Sequence, residues 1–310
     1  MNKFTRKNAL TWVVAAAIML AGCSQQGSTP TGATIGHNPN PVQAPKNAIG
    51  EAVGYKIIGI DAGAGSMVKT EEVMKLYGLD NWQLVEGSDA AMTAALTRAY
   101  EQKQPIIITG WTPHWMFKKL DLKYLQDPKN GFGGDEQIHT IVRKGLKQDH
   151  PAAYRFLDAF QWKPADMEAV MVHILDGKKP EEAAAEWVKN NEDKVGKWVA
   201  GLAPVQKEKL TIAYVAWDSE IASSHIVKEV LETKLGYEVE LSQVQAGPMW
   251  AGVAMGDVDG MVAAWLPSTD ASYLKKFGDQ LEDLGPNLDG TKIGLVVPGY
   301  MNIQSIEELK

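Results

Sequence analysis

The sequence predicts an α/β protein with two similar lobes facing each other across a cleft, each lobe a mostly parallel sheet flanked by helices. Three observations point there. Short β-branched runs alternate with helical segments, the signature of βαβ units. The same order of elements recurs roughly 150 residues further on, and such self-similarity marks duplicated units. A purely helical stretch, 150–202, separates the two copies.

Taken in order, the chain of 310 residues begins with a basic start, Lys3, Arg6 and Lys7, then an apolar run from Ala9 to Met19, then Leu20-Ala21-Gly22-Cys23. This is a signal peptide in outline, residues 1–22, with an apolar core too short to span a bilayer. Cys23 is the sole cysteine, so disulfides are not available and stability must come from burial. Its position after the Ala21-Gly22 pair resembles the lipobox of bacterial lipoproteins, which implies cleavage before Cys23 and lipidation of its sulfur. Residues 23–51 are rich in Ser, Thr, Gly, Asn and Pro and read as a flexible tether. The first lobe is expected over 52–140, with 300–310 returning to it. Its strands are Lys56–Ile60, the run "QLVE" and "PIIIT" from Pro105; Ser88 is placed to cap the helix bearing Met92, Leu96 and Ala99. Residues 141–204 form the helical crossover, in which Trp162, Trp187 and Trp198 are read as packing residues. The second lobe is expected over 205–299, where "KLTIAYVAW" parallels "YKIIGIDAG" and "TKIGLVVP" parallels "EQIHTIVRK". The acidic runs "EEAAAE" and "EDLGPNLDG" read as solvated faces and turns.

The chemistry is expected at the carboxyl ends of the strands, where open parallel sheets bind ligands. Three loops there carry a tryptophan: Trp111 in "GWTPHW", Trp217 in "WDSE" and Trp265 in "WLPSTD". Across a cleft these rings can converge. Tryptophan is the strongest cation–π partner, and a quaternary ammonium, having no N–H to donate, must be held by ring faces and dispersion. Stacking on a sugar is the rival use of the rings, and core packing the structural one. "DAGAGS" follows the first strand; its small residues leave the backbone N–H groups of Gly65 and Ser66 free to face an anion at a helix start, or simply make a tight βα connection. It is neither a P-loop nor a full dinucleotide fingerprint. His114 is the one histidine at a strand end. The sequence carries no G-x-S-x-G elbow, no H-E-x-x-H and no clustered metal ligands, so neither an enzyme nor a cofactor is expected. The formal charge is −7, and loss of the three basic signal residues takes it to −10, which argues against nucleic acid as a partner.

"TGWTPHWMFKKLDLKYLQDPK", "AYVAWDSEIAS", "AGPMW", "AAWLPSTDASY" and "GLVVPGYM" resemble the glycine betaine-binding lipoproteins of osmoprotectant ABC importers, the OpuAC-like family. The likeness runs from about Val53 to Lys310, in the order of the circularly permuted members. It implies a two-lobed type II periplasmic-binding-protein fold, monomeric and lipid-anchored on the extracytoplasmic face of the cell membrane. The protein would deliver its ligand to a permease driven by a cytoplasmic ATPase. By the same resemblance Trp111, Trp217 and Trp265 cage the trimethylammonium of glycine betaine, or of proline betaine, and Gly65 and Ser66 hold its carboxylate. One position departs. Members of the family commonly read "WLPNTH", with a His that contacts the carboxylate; here Asp270 stands in its place. An ionised Asp cannot donate to a carboxylate and repels it. The departure predicts weakened betaine binding with the cation site intact, and makes Asp270 and His114 candidates for specificity; choline or carnitine is the alternative ligand. A carbohydrate-binding or hydrolytic lipoprotein with an aromatic cleft is the reading from another class.

Overall fold

The structure, a computed structural model, describes residues 47–310. The signal segment, Cys23 and most of the tether lie outside the described residues. Nine strands are present among the described residues: β1 (Lys56–Ile58), β2 (Gln83–Val85), β3 (Ile108–Thr112), β4 (Leu122–Tyr124), β5 (Glu136–Arg143), β6 (Lys209–Tyr214), β7 (Glu238–Gln243), β8 (Gly260–Leu266) and β9 (Leu281–Pro298). They are joined in the order β2-β1-β3-β9-β5-β8-β6-β7, with β4 also on β9.

The two halves are related as the repeat predicts. β1 pairs in parallel with β2 and β3 on one side, and β6 in parallel with β7 and β8 on the other. The sheets are more mixed than the alternating pattern suggests, because β5 and β9 run antiparallel to their neighbours. β9 is the connection between the halves. Its first part lies along β5, and from Lys292 to Pro298 it pairs with β3 and β4. The acidic run "EDLGPNLDG", expected as turns, is the first part of that strand. Its turn-like letters are accommodated by register shifts against β5 and by Gly285 and Gly290 at positive φ, 89° and 77°.

Pairing with β9 also moves a boundary. The strand expected at Pro105 runs instead from Ile108 through Trp111 to Thr112, because β9 offers partners as far as Lys292. Trp265 likewise lies inside β8. These tryptophans are therefore strand residues, not loop residues, and the peptide bonds that follow them, Thr112-Pro113 and Leu266-Pro267, are both cis.

Helices cover the sheet. Ser88 accepts a hydrogen bond from Ala91 N and caps Asp89–Glu101, whose Met92, Leu96 and Ala99 are buried. Helices Pro151–Ala159, Pro164–Leu175 and Pro180–Asn190 each start on proline, which suits the first helical turn. With Glu192–Trp198 they enclose an aromatic cluster in which Trp187 and Trp198 stack at 5.9 Å and Trp162 meets Trp187 edge-on. The chain end packs beside the β1 half: Trp82 Nε1 donates to Leu309 O at 2.8 Å, and Gln126 bridges Ser305. Among the described residues no helix is long and apolar enough to cross a membrane.

The rings of the helical cluster are buried and pack on one another, so removing one is expected to cost stability. Trp198→Ala should lower unfolding free energy by roughly 3–5 kcal/mol, the usual cost of emptying a buried aromatic site, as read by denaturant titration.

Candidate functional site

Between the two halves lies a narrow cavity of about 340 Å³, part of it open to solvent. Gly65, Ser66, Trp111, Trp217, Trp265 and Asp270 line it, together with Ile60, Ser219, Thr269 and Ile293. The structure thus brings together six of the residues singled out in the sequence. β3 and β8 supply Trp111 and Trp265, and Trp217 directly precedes the helix Asp218–Thr233. All three are buried. Trp217 is held across the cleft, its Nε1 donating to Asp61 Oδ2 at 2.9 Å. Ile293 enters because it is the β9 partner of Trp111; nothing local in the sequence distinguished it from any other buried isoleucine.

The opposite wall is backbone. Helix Gly65–Tyr77 has no side-chain cap, so the first-turn N–H groups of Gly65 and Ser66 have neither an intrahelical nor a capping partner. Gly65 must be glycine here: a Cβ would overlap the Thr269 carbonyl and Asp270 Oδ1, which approach from the β8 side. Tyr273 adds a further contact between the halves, its hydroxyl donating to Gly63 O at 2.7 Å.

The loop after β8 is a small built structure. Asp270 N donates to Trp265 O, and Trp265 N donates back to Asp270 Oδ2, each at 2.9 Å. Glu136 of β5 accepts from Ser268 N and Oγ and from Thr269 N and Oγ1. Sequence reasoning missed Glu136, because its four donors are more than 130 residues away and nothing at "DEQIH" announces them. Asp270 is therefore neither free nor turned away from the cavity. One oxygen is tied to Trp265 N and the other lies against Gly65. Burial raises its pKa to about 7, with the Trp265 N–H opposing and Glu136 reinforcing the shift. This amends the expectation of a plain ionised, repelling Asp270: near neutrality the group is divided between a repelling carboxylate and a donating acid. Glu220 is also buried and raised well above the usual carboxylate range, chiefly by burial; its Oε2 accepts from Val215 N at 2.6 Å.

His114 does not line the cavity. It sits fully buried behind Trp111, whose ring it meets edge-on at 4.8 Å. Among the described residues, Asp89, His114 and Asp218 form one group whose donor atoms lie within 4.8 Å of one another, a spacing a metal ion could use. The sequence hid it, since these residues come from three separate segments. Of the facing atoms, Asp218 Oδ2 already accepts from Trp115 Nε1, whereas His114 Nε2 and Asp89 Oδ1 have no hydrogen-bond partner; the other ring nitrogen, Nδ1, accepts from Met116 N at 3.2 Å.

A slot with aromatic walls from both halves, a bare helix start and a buried acid can hold a small cation that also carries an anionic end. Residues 40–190 and 208–310 match the family model described as the substrate-binding domain of ABC-type glycine betaine transport systems. The chain is 55% identical over 268 residues to the glycine betaine/carnitine transport binding protein GbuC of Listeria monocytogenes serotype 1/2a (strain 10403S), covering 86% of this chain and 89% of that one. Among solved structures it is similar to lactococcal OpuAC in its closed-liganded conformation with glycine betaine, at 49% identity and a TM-score of 0.46, over 51% of this chain. It is also similar to the glycine betaine, L-proline-binding protein ProX of Borrelia burgdorferi, at 36% identity and a TM-score of 0.48, over 50% of this chain. The matched regions span 64% and 59% of those two solved chains. The chain belongs to the OpuAC family, the substrate-binding domains of ABC-type glycine betaine transport systems.

Proposed function

We propose that this chain captures glycine betaine between its lobes and hands it to an ABC permease. The observation that carries the reading is the convergence of Trp111, Trp217 and Trp265 on one slot that is also lined by the free helix start at Gly65 and Ser66. The trimethylammonium lies against the three indoles, each contact worth about 1–2 kcal/mol when water is excluded. The carboxylate takes the Gly65 and Ser66 N–H groups, aided by the helix dipole. Trp217 is enriched for this role, since donation from its Nε1 to the Asp61 carboxylate pushes electron density toward the ring face. The likeness to a relative named for glycine betaine and carnitine supports this class of ligand. Cys23, lipidated, would tether the monomer to the extracytoplasmic face of the membrane, where the permease lies.

A second reading is favoured by Asp270. Where family members commonly carry a His, an acid with one oxygen on the cavity side suits a ligand that offers a hydroxyl in place of a carboxylate. Choline is such a ligand. The two readings separate by pH, because Asp270 titrates at about 7. Below that value it is protonated and can donate to a carboxylate; above it, it repels the carboxylate and attracts the cation.

Three outcomes follow. In calorimetric titration, Trp217→Ala should weaken glycine betaine binding by about 5–30-fold while the protein stays folded; an unchanged Kd would remove this ring from the cage. Glycine betaine affinity should fall as pH rises through about 7 and choline affinity should rise. Asp270→Asn should flatten both profiles; profiles that keep their slope in that variant would assign the titration elsewhere. Stability should follow the same group. A carboxyl whose folded-state pKa is raised contributes stability that is complete below its unfolded value of 3.8 and is lost as pH rises through about 7. The ligand-free melting temperature should therefore decline across that window, and less steeply in Asp270→Asn.

A further inference from the structure

We propose that Asp89, His114 and Asp218 form a latch between the two lobes that sets how slowly the ligand leaves. The inference rests on the cage reading above. The three residues occupy different elements. Asp89 opens helix Asp89–Glu101, His114 follows β3, and Asp218 opens helix Asp218–Thr233 on the other lobe. Their contacts already cross the cleft: Asp218 N donates to Asp89 Oδ2 at 2.8 Å, and Trp115 Nε1 donates to Asp218 Oδ2.

The imidazole is the unfinished part. Met116 N donates to His114 Nδ1, so the ring's hydrogen resides on Nε2. Nε2 lies 3.7 Å from Asp89 Oδ1 and 3.8 Å from Asp218 Oδ2, beyond hydrogen-bond length. His114 and Asp89 are essentially fully buried, and both Nε2 and Asp89 Oδ1 are without a hydrogen-bond partner. A buried donor left unpaired is destabilising; Asp89 shares a lobe with His114, so lobe motion changes only the 3.8 Å gap to Asp218 Oδ2, and closing it by about 1 Å would give Nε2 an acceptor. Asp218, about a third exposed at its side chain (34%), is the member free to move with its lobe. Burial and the neighbouring Asp89 raise the pKa of Asp218, with His114 and the donation from Trp115 Nε1 opposing the shift.

The latch and the cage move together. Asp218 is the residue after Trp217, and His114 packs its ring against Trp111. A motion that seats Trp217 on a cation moves its neighbour Asp218 as well, and can carry it toward Nε2. None of the three residues lines the cavity; they are positioning residues, and their effect belongs to dissociation, which begins with opening, more than to association, which ends before the latch is made.

The test is stopped-flow tryptophan fluorescence on the full chain with glycine betaine, comparing the natural protein with Asp218→Asn and Asp89→Asn. Dissociation should speed up about tenfold in each variant, with association rates within about twofold of the natural protein and the ligand-free melting temperature little changed. Unchanged dissociation rates would overturn the latch while leaving the cage in place, as would slower association alone. Absence of any signal from the natural protein would overturn the cage reading and the latch with it. Should either Asn variant fail to fold, His114→Gln carries the same comparison: faster dissociation supports the latch, and an unchanged rate overturns it.

Discussion

The close approach of the Gly65 backbone to Thr269 and Asp270 is the contact on which the rest of the site depends. It is made possible by a missing side chain, since any Cβ at Gly65 would collide with the Thr269 carbonyl and the Asp270 carboxyl. Because the two halves can come that near, the helix start at Gly65 faces the same narrow space as three indoles. The surrounding architecture maintains this approach. β9 ties the halves into one continuous set of strands, Glu136 gathers four donors to fix the Ser268–Thr269 turn, and Asp270 closes the same turn onto Trp265. Trp217 reaches the cavity from the other side, anchored to Asp61.

Electrostatics at the cavity divide by position. The anion-facing wall is made of N–H groups with no formal charge, so it costs little to bury and needs no counter-ion. The cation-facing wall is aromatic, with carboxylates behind it: Asp61 bonded to Trp217, and Asp89 and Asp218 beyond Trp111 and Trp115. Negative charge placed behind rings strengthens the field a cation meets without offering it a salt bridge that water would screen. Asp270, which lines the cavity, and Glu220, buried outside its lining, are the exceptions, acids whose pKa values are raised mainly by burial. Perturbed acids of this kind cluster where a protein does its work.

Much of this was legible in the sequence, and the reasons differ by residue. Trp111, Trp217 and Trp265 stood out because a large amphipathic ring at a strand end is rare and was repeated. Gly65 and Ser66 stood out because small residues between a strand and a helix leave N–H groups exposed. The two-lobed plan was readable from the repeat, and the helical insert from its proline-started segments. What could not be read were interactions spanning long sequence separations. Glu136 looks like any strand glutamate until Ser268 and Thr269 are placed beside it. The first part of β9 carries the letters of turns and becomes a strand only because β5 is there to pair with it. His114 was noticed as a strand-end histidine, yet its partners Asp89 and Asp218 lie on other segments. Asp270 was singled out by its departure from a family pattern, but its titration near neutrality comes from burial that no local pattern encodes.

The central claim is that ring faces, not hydrogen bonds, hold the ligand's cationic end. It is tested most directly by titrating the protein with glycine betaine, dimethylglycine, sarcosine and glycine, a series that keeps the carboxylate and replaces each methyl in turn by N–H. A cage of indoles predicts that affinity is highest for the fully methylated member and falls with every N–H introduced, because each must lose its water against ring faces that offer it no acceptor. Equal binding across the series, or tightest binding of glycine, would contradict the claim and place hydrogen-bond acceptors, not aromatic faces, at the heart of the site.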